Sequence, residues 1–107
     1  MKTKIYSVSI HTKGAMKFDY GDGNYLSIII GQYSHTDNYA LEDVKDNRNL
    51  ITTTLEVMCW GNKAMRAAKQ KKYEYYADVN KEYVLLNWLP ADFLPQLMQE
   101  IEKESEQ

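Results

Sequence analysis

Apolar side chains fall on alternate positions through much of the first sixty residues, the period of a half-buried β-strand. In "KIYSVSIHT", residues 4–12, Tyr6, Val8 and Ile10 alternate with Ile5, Ser7 and Ser9. "AMKFDY" resumes the alternation with Met16, Phe18 and Tyr20, and Gly14 stands between the two pieces. A glycine inside a strand pattern marks a bulge or bend, so one long bent strand is expected here. "GDGN" at 21–24 predicts a hairpin turn, because Asp-Gly supplies the positive-φ positions such turns need. The partner strand, 24–33, sets Leu26, Ile28 and Ile30 on one face and Tyr25, Ser27, Ile29 and Tyr33 on the other. Residues 34–49 are polar and aperiodic, and read as a long exposed loop with one helical turn at Tyr39 to Val44.

Alternation returns at 50–60, with Ile51, Thr53, Leu55, Val57 and Cys59 against Thr52, Thr54, Glu56, Met58 and Trp60. Gly61-Asn62 ends it. "KAMRAAKQ" is rich in helix formers, and Asn62 is the expected N-cap. "KKYEYYADV" and "EYVLLNWL" read as a hairpin joined near Asp78 to Lys81. From Pro90 the period changes: Leu94, Leu97, Met98 and Ile101 mark an amphipathic helix over 91–102. The predicted order is five strands, a short helix between the third and fourth, and a C-terminal helix. That is the element order of the OB-fold, a mainly β five-stranded barrel.

Composition adds limits rather than direction. The 107 residues, 44% hydrophobic and 26% charged, suit one globular domain with an acidic, frayed tail at about 103–107. A single cysteine, Cys59, rules out an internal disulfide or a Cys-pair metal site. The N-terminal "MKTKIYSVSIHTKG" lacks a signal-peptide core and no apolar run nears ~18 residues, so a soluble, cytoplasmic protein is expected. Nine Tyr against two Phe and two Trp fit either strand preference or a wet aromatic surface for stacking.

Little points to catalysis. His11 and His35 lie in different elements, and Cys59 sits on an apolar strand face where an inert buried thiol is expected. No Gly-rich phosphate loop is present; "YGDGNY" reads as a hairpin turn. Asp43, Asp46, Asn47 and Asn49 lack the glycine and terminal Glu of a calcium loop. The expectation is a non-enzyme with no cofactor and no metal.

The basic segment carries more. Lys63, Arg66, Lys69, Lys71 and Lys72 stand between Gly61 and Tyr73 without an acidic residue, and Asp92, Glu100, Glu102, Glu104 and Glu106 make the C-terminal segment acidic. Opposite solvated helix faces are the ordinary meaning of such runs. Here, however, Trp60 precedes the cations, and Tyr73, Tyr75 and Tyr76 follow them. Cations for phosphates beside rings for unpaired bases suit single-stranded nucleic acid, at roughly 1–3 kcal/mol per stacked base.

"TTTLEVMCWGNKAMRAA" resembles the third strand and helix of single-stranded DNA-binding proteins of the SSB type. There an apolar strand ends in an aromatic-Gly pair, and a helix with a Lys and a small residue near its start follows. The corresponding residues are Trp60, Gly61, Lys63 and Ala64. The resemblance covers about residues 50–88 and implies that Trp60 lies on the base-stacking surface. A second stacking aromatic of the family falls near Thr54, and the family's glycine-rich, acidic-tipped tail is replaced by a helix and "EKESEQ". That compact form resembles the phage-encoded members, which would place it in the host cytoplasm.

The resulting expectation is a protein that coats single-stranded DNA in replication or recombination, without strong sequence preference. Trp60, Tyr25, Tyr33, Tyr73, Tyr75 and Tyr76 would stack on bases, with Lys63, Arg66, Lys69, Lys71 and Lys72 near phosphates. A homo-oligomer (dimer or tetramer) and contacts with replication or recombination proteins are also expected, with no membrane partner. The alternative is a phage-type adaptor or inhibitor that binds another protein through the Tyr-rich sheet and the 34–49 loop.

Overall fold

A computed structural model describes residues 7–11, 15–29 and 53–104, with side chains over 15–29 and 53–103. Tyr33 and the 34–49 loop lie outside the described residues. Six strands form one antiparallel sheet: β1 (Ser7–His11), β2 (Ala15–Gly21), β3 (Asn24–Ile29), β4 (Thr54–Trp60), β5 (Ala77–Val79) and β6 (Tyr83–Pro90). Their spatial order is β1-β2-β3-β4-β6-β5. Helices α1 (Asn62–Ala68), α2 (Lys71–Glu74) and α3 (Leu94–Glu104) complete the chain, with a single 3-10 turn at Ala91–Phe93 leading into α3.

The alternation along the strands becomes two faces. Leu26, Val57, Cys59, Val84, Leu86 and Leu89 point to one side and are buried. α1 lays Ala64, Ala67 and Ala68 against that side, and the small side chains let the helix approach closely. α3 packs on α1 and brings Leu97 and Ile101 into the same core. Each Leu or Ile so buried contributes roughly 1.5–3 kcal/mol. The strand positions in between, including Tyr25, Ser27, Met58, Trp60, Tyr83 and Leu85, are only partly buried and face away from the helices.

One junction ties the layers together. Asp22 and Gly23 turn the β2–β3 hairpin with positive φ at both positions, as the Asp-Gly pair predicted. Asn24, next in the chain, is buried. Its Oδ1 accepts hydrogen bonds from the backbone N–H groups of Lys63 (2.9 Å) and Ala64 (3.4 Å), and its Nδ2 donates to the carbonyls of Gly21 and Asp22. Asn24 thus supplies the capping oxygen for α1 from 39 residues away. The expected local cap, Asn62, is instead the first helical residue, and Gly61 occupies the cap position. Gly61 has φ +92°, and a Cβ there would lie 2.5 Å from both Asn24 Oδ1 and the Gly23 carbonyl. Only glycine passes so close to the hairpin.

Three further expectations are corrected. β1 is not the first half of a bent strand: it folds back on β2, with Val8 opposite Phe18 and Ile10 opposite Met16. Reversal keeps the face parity that a bend would keep, so alternation alone did not separate the two. The predicted strand at 71–79 is α2 followed by the three-residue β5. A helical turn lets Tyr73 enter the core, edge-on to Phe93 at 6.1 Å, and that burial overrides the strand preference of tyrosine. Finally, β1 and β5 are the two edges of the sheet, which is open and not closed into a barrel. The mainly β class and the amphipathic C-terminal helix stand as predicted.

Replacing Asn24 with Ala should cost about 1–3 kcal/mol, because the buried N–H of Ala64 and the partly buried N–H of Lys63 lose their acceptor. Gly61→Ala should cost roughly 2–5 kcal/mol from backbone strain and overpacking. Urea midpoints of the two variants, compared with the parent, check both.

Burial also pushes the Cys59 thiol and the Tyr20 phenol well above their ordinary values, and nearby Glu102 adds to the shift at Tyr20. Both groups stay protonated in the fold at a pH where the unfolded chain ionises them. Stability is therefore expected to be whole below about pH 8.5, to start falling there, and to fall faster above about pH 10. Urea titrations at rising pH test this, and in Cys59→Ala the first phase of the loss should vanish.

Candidate binding face of the sheet

On the open face, register brings together residues far apart in sequence. Tyr25 pairs with Trp60, and Trp60 with Tyr83, so β3, β4 and β6 each place one ring in a single row. Tyr25 and Trp60 lie nearly parallel, 14° apart with centroids at 5.6 Å. Trp60 and Tyr83 follow at 5.1 Å and 40°. Asp19 stands opposite Tyr25 on β2, and Lys17, opposite Ser27, reaches diagonally to place its Nζ 4.1 Å from the Tyr25 ring centre. Partial burial, then Asp19, raises the Tyr25 phenol above its ordinary value. The neighbouring row is Ser27, Met58 and Leu85, followed by Asp78 on the edge strand. Apolar and aromatic area therefore runs across three strands, and among the described residues no helix lies over it.

Tyr83 and Lys17 were missed by the sequence reading. Tyr83 was legible in principle: Val84 and Leu86 set the inward parity of "EYVLLNWL", which puts Tyr83 on the other face. Its register is fixed by the preceding turn, where Asn80 Oδ1 accepts from the N–H groups of Glu82 and Tyr83 at 2.8 and 2.9 Å. Lys17 was hidden because its partner ring is on another strand.

The predicted convergence of Trp60 with five uncontested cations does not occur. Trp60 faces away from the helices, whereas α1 and its cations belong to the layer on the opposite face. Asn62, Met65, Arg66 and Lys69 line a separate cleft of about 220 Å³ there. Lys72 is held by Glu100 of α3 at 3.1 Å, and Gln70 Nε2 donates to the same carboxylate at 3.0 Å. The Lys72 contact raises that ammonium above its usual value; Lys72 first, then Gln70, lowers Glu100. Lys63 is half-buried and Lys71 exposed.

The predicted stacking tyrosines also divide. Tyr25 joins the row. Tyr73 is 0% exposed and is a core residue. Tyr76 packs edge-on against Phe93 at 5.9 Å and is half-buried, while Tyr75 is 92% exposed beside it. Trp88 is 47% exposed. Among the described residues, no three His, Cys, Asp or Glu side chains gather as a metal site, and no helix is long and apolar enough to cross a membrane. Comparison of the chain with protein-family models, with curated proteins and with solved structures gave no match.

Because Trp60 is on a face and Tyr73 in the core, their removal should have different consequences. Trp60→Ala should keep cooperative unfolding at a cost of about 1–3 kcal/mol, mostly the lost ring pairs. Tyr73→Ala should cost about 3–5 kcal/mol through the cavity it leaves. Circular dichroism melts of the two variants distinguish them.

Proposed function

We propose that the protein works by binding, and that its ligand is a partner protein seated on the open face of the sheet. The observation that carries this reading is the Tyr25–Trp60–Tyr83 row with the Lys17 ammonium against the Tyr25 ring, continued by Met58 and Leu85 on the face that no helix covers among the described residues. Tyr, Trp and Met are the side chains enriched at protein interfaces. Rings held by one another lose little conformational entropy on binding, which makes them good central anchors. The adaptor or inhibitor reading of the sequence therefore moves ahead, resting on the sheet alone.

A second reading keeps single-stranded DNA as the ligand, in replication or recombination, and the same row supports it. A flat aromatic platform with a lysine at its end can take unpaired bases, as sheet-borne aromatics do in other single-strand binders. The motif on which the SSB resemblance rests is still a strand that ends in Trp60-Gly61 and leads into a helix, β4 followed by α1. It ranks second because the helical cations lie in the other layer and Lys72 is already paired.

Selecting a displayed random peptide library on the immobilised full chain tests the first reading. Selected peptides should bind the parent and lose at least ~10-fold in affinity on Trp60→Ala or Tyr83→Ala, the size of a hot-spot loss. Equal binding to these variants, or no selected peptide at all, overturns it. A dT 30-mer that quenches tryptophan emission, and does so much less as salt rises, would replace it with the DNA reading.

A further inference from the structure

The open face is close to symmetric about its middle strand. In the order β2-β3-β4-β6-β5, β4 has two strands on each side, with β1 lying beyond β2. One cross-strand row puts Trp60 on β4 between Tyr25 on β3 and Tyr83 on β6. The next row puts Met58 on β4 between Ser27 and Leu85, and it ends on Lys17 of β2 to one side and Asp78 of β5 to the other. Opposite charges thus stand at matching distances from β4, about 10 Å each at ~4.8 Å per strand. The Lys17 ammonium rests on the Tyr25 ring and meets no carboxylate among the described residues. Asp78 is exposed, accepts from the neutral Asn87 amide at 2.6 Å, and pairs with no cation among the described residues.

The symmetry ends at the third row. There β6 bulges, Asn87 and Trp88 together standing opposite Glu56, and Glu56 and Trp88 both have interactions within the chain. The symmetric area is therefore the pair of rows nearest the β2–β3 hairpin.

A face with rings and apolar groups along its centre and opposite charges on either side is complementary to itself. Rotation by 180° about an axis along β4 lays Trp60 over Trp60 and Met58 over Met58 of a second copy. It also lays Tyr25 over Tyr83 and Lys17 over Asp78, and each of these contacts then occurs twice. Two sheets facing at about 10 Å with nearly aligned strands is the ordinary geometry of a β-sandwich. Building on the partner-protein reading, we infer that the partner is a second copy of this chain, bound face to face as a twofold dimer across the Tyr25–Trp60–Tyr83 and Ser27–Met58–Leu85 rows. The rings and Met58 supply the affinity by leaving water. The two Lys17–Asp78 pairs fix the orientation, since exposed ion pairs add more to specificity than to stability.

Sedimentation velocity of the full chain over a dilution series tests this. The parent should sediment as a dimer that dissociates on dilution, and Trp60→Ala should weaken it at least ~10-fold. Lys17→Asp sets like charges against Asp78 at both ends of the interface, and Asp78→Lys does the same against Lys17. Each variant alone should dimerise at least ~10-fold more weakly than the parent. An equimolar mixture of the two restores opposite charges at both ends and should recover association close to that of the parent, which misfolding of either variant would not allow. A mixture that associates no better than its components, or a dimer indifferent to Trp60→Ala, overturns the inference. A parent that stays monomeric at every concentration overturns it too, yet leaves the partner-protein reading standing if selected peptides still require Trp60. Peptides that bind Trp60→Ala as tightly as the parent would remove that underlying reading instead.

Discussion

The Asn24 carboxamide is the contact on which the arrangement depends. It ends one hairpin and begins one helix at once, accepting from Lys63 and Ala64 while donating back to its own turn. Its neighbour Tyr25 points the other way, and opposite Tyr25 stands Trp60. Adjacent residues therefore secure the two faces of one junction: Asn24 seats the helix on the covered side, and Tyr25 stacks on Trp60 on the open side. Gly61 lets this happen, because any side chain there would meet Asn24 and the Gly23 carbonyl.

From that junction follows a separation of chemistries between layers. The chain carries its cations next to its tryptophan in sequence, yet a strand ending in an outward Trp60 and a helix packed inward by Ala64, Ala67 and Ala68 send them to opposite sides. The basic and acidic segments then meet each other across α2 and α3, through Lys72 and Glu100. Charge runs that look like recognition surfaces in a sequence can be spent in pairing within the fold. What remains on the open face is aromatic, apolar and weakly acidic, which suits a protein partner better than a phosphate backbone.

The strands were legible from period-2 alternation, the turn at Asp22-Gly23 from its dipeptide, and α3 from the spacing of Leu94, Leu97, Met98 and Ile101. Each is a local signal, set by neighbours a few residues apart. The β1–β2 reversal, the helical turn at Tyr73 and the open edges escaped because each is decided by contacts across the sheet. The aromatic row was half legible: parity put Tyr25 and Trp60 on the outer face, but only register could add Tyr83 and Lys17. Trp88 carried no signal at all, since nothing in "NWLP" announces a bulge opposite Glu56.

By itself, then, the sequence determined which residues alternate, where the chain turns and which side chains seek burial, because these depend on local sterics and on hydrophobicity. The tertiary structure decided which strands pair and in what register, which face the helices cover, and so which aromatics end up together in solvent. Those outcomes hang on a few long-range contacts, such as Asn24 with Lys63 and Tyr25 with Trp60, whose partners are more than thirty residues apart. No local pattern encodes such a distance; only the packed sheet does.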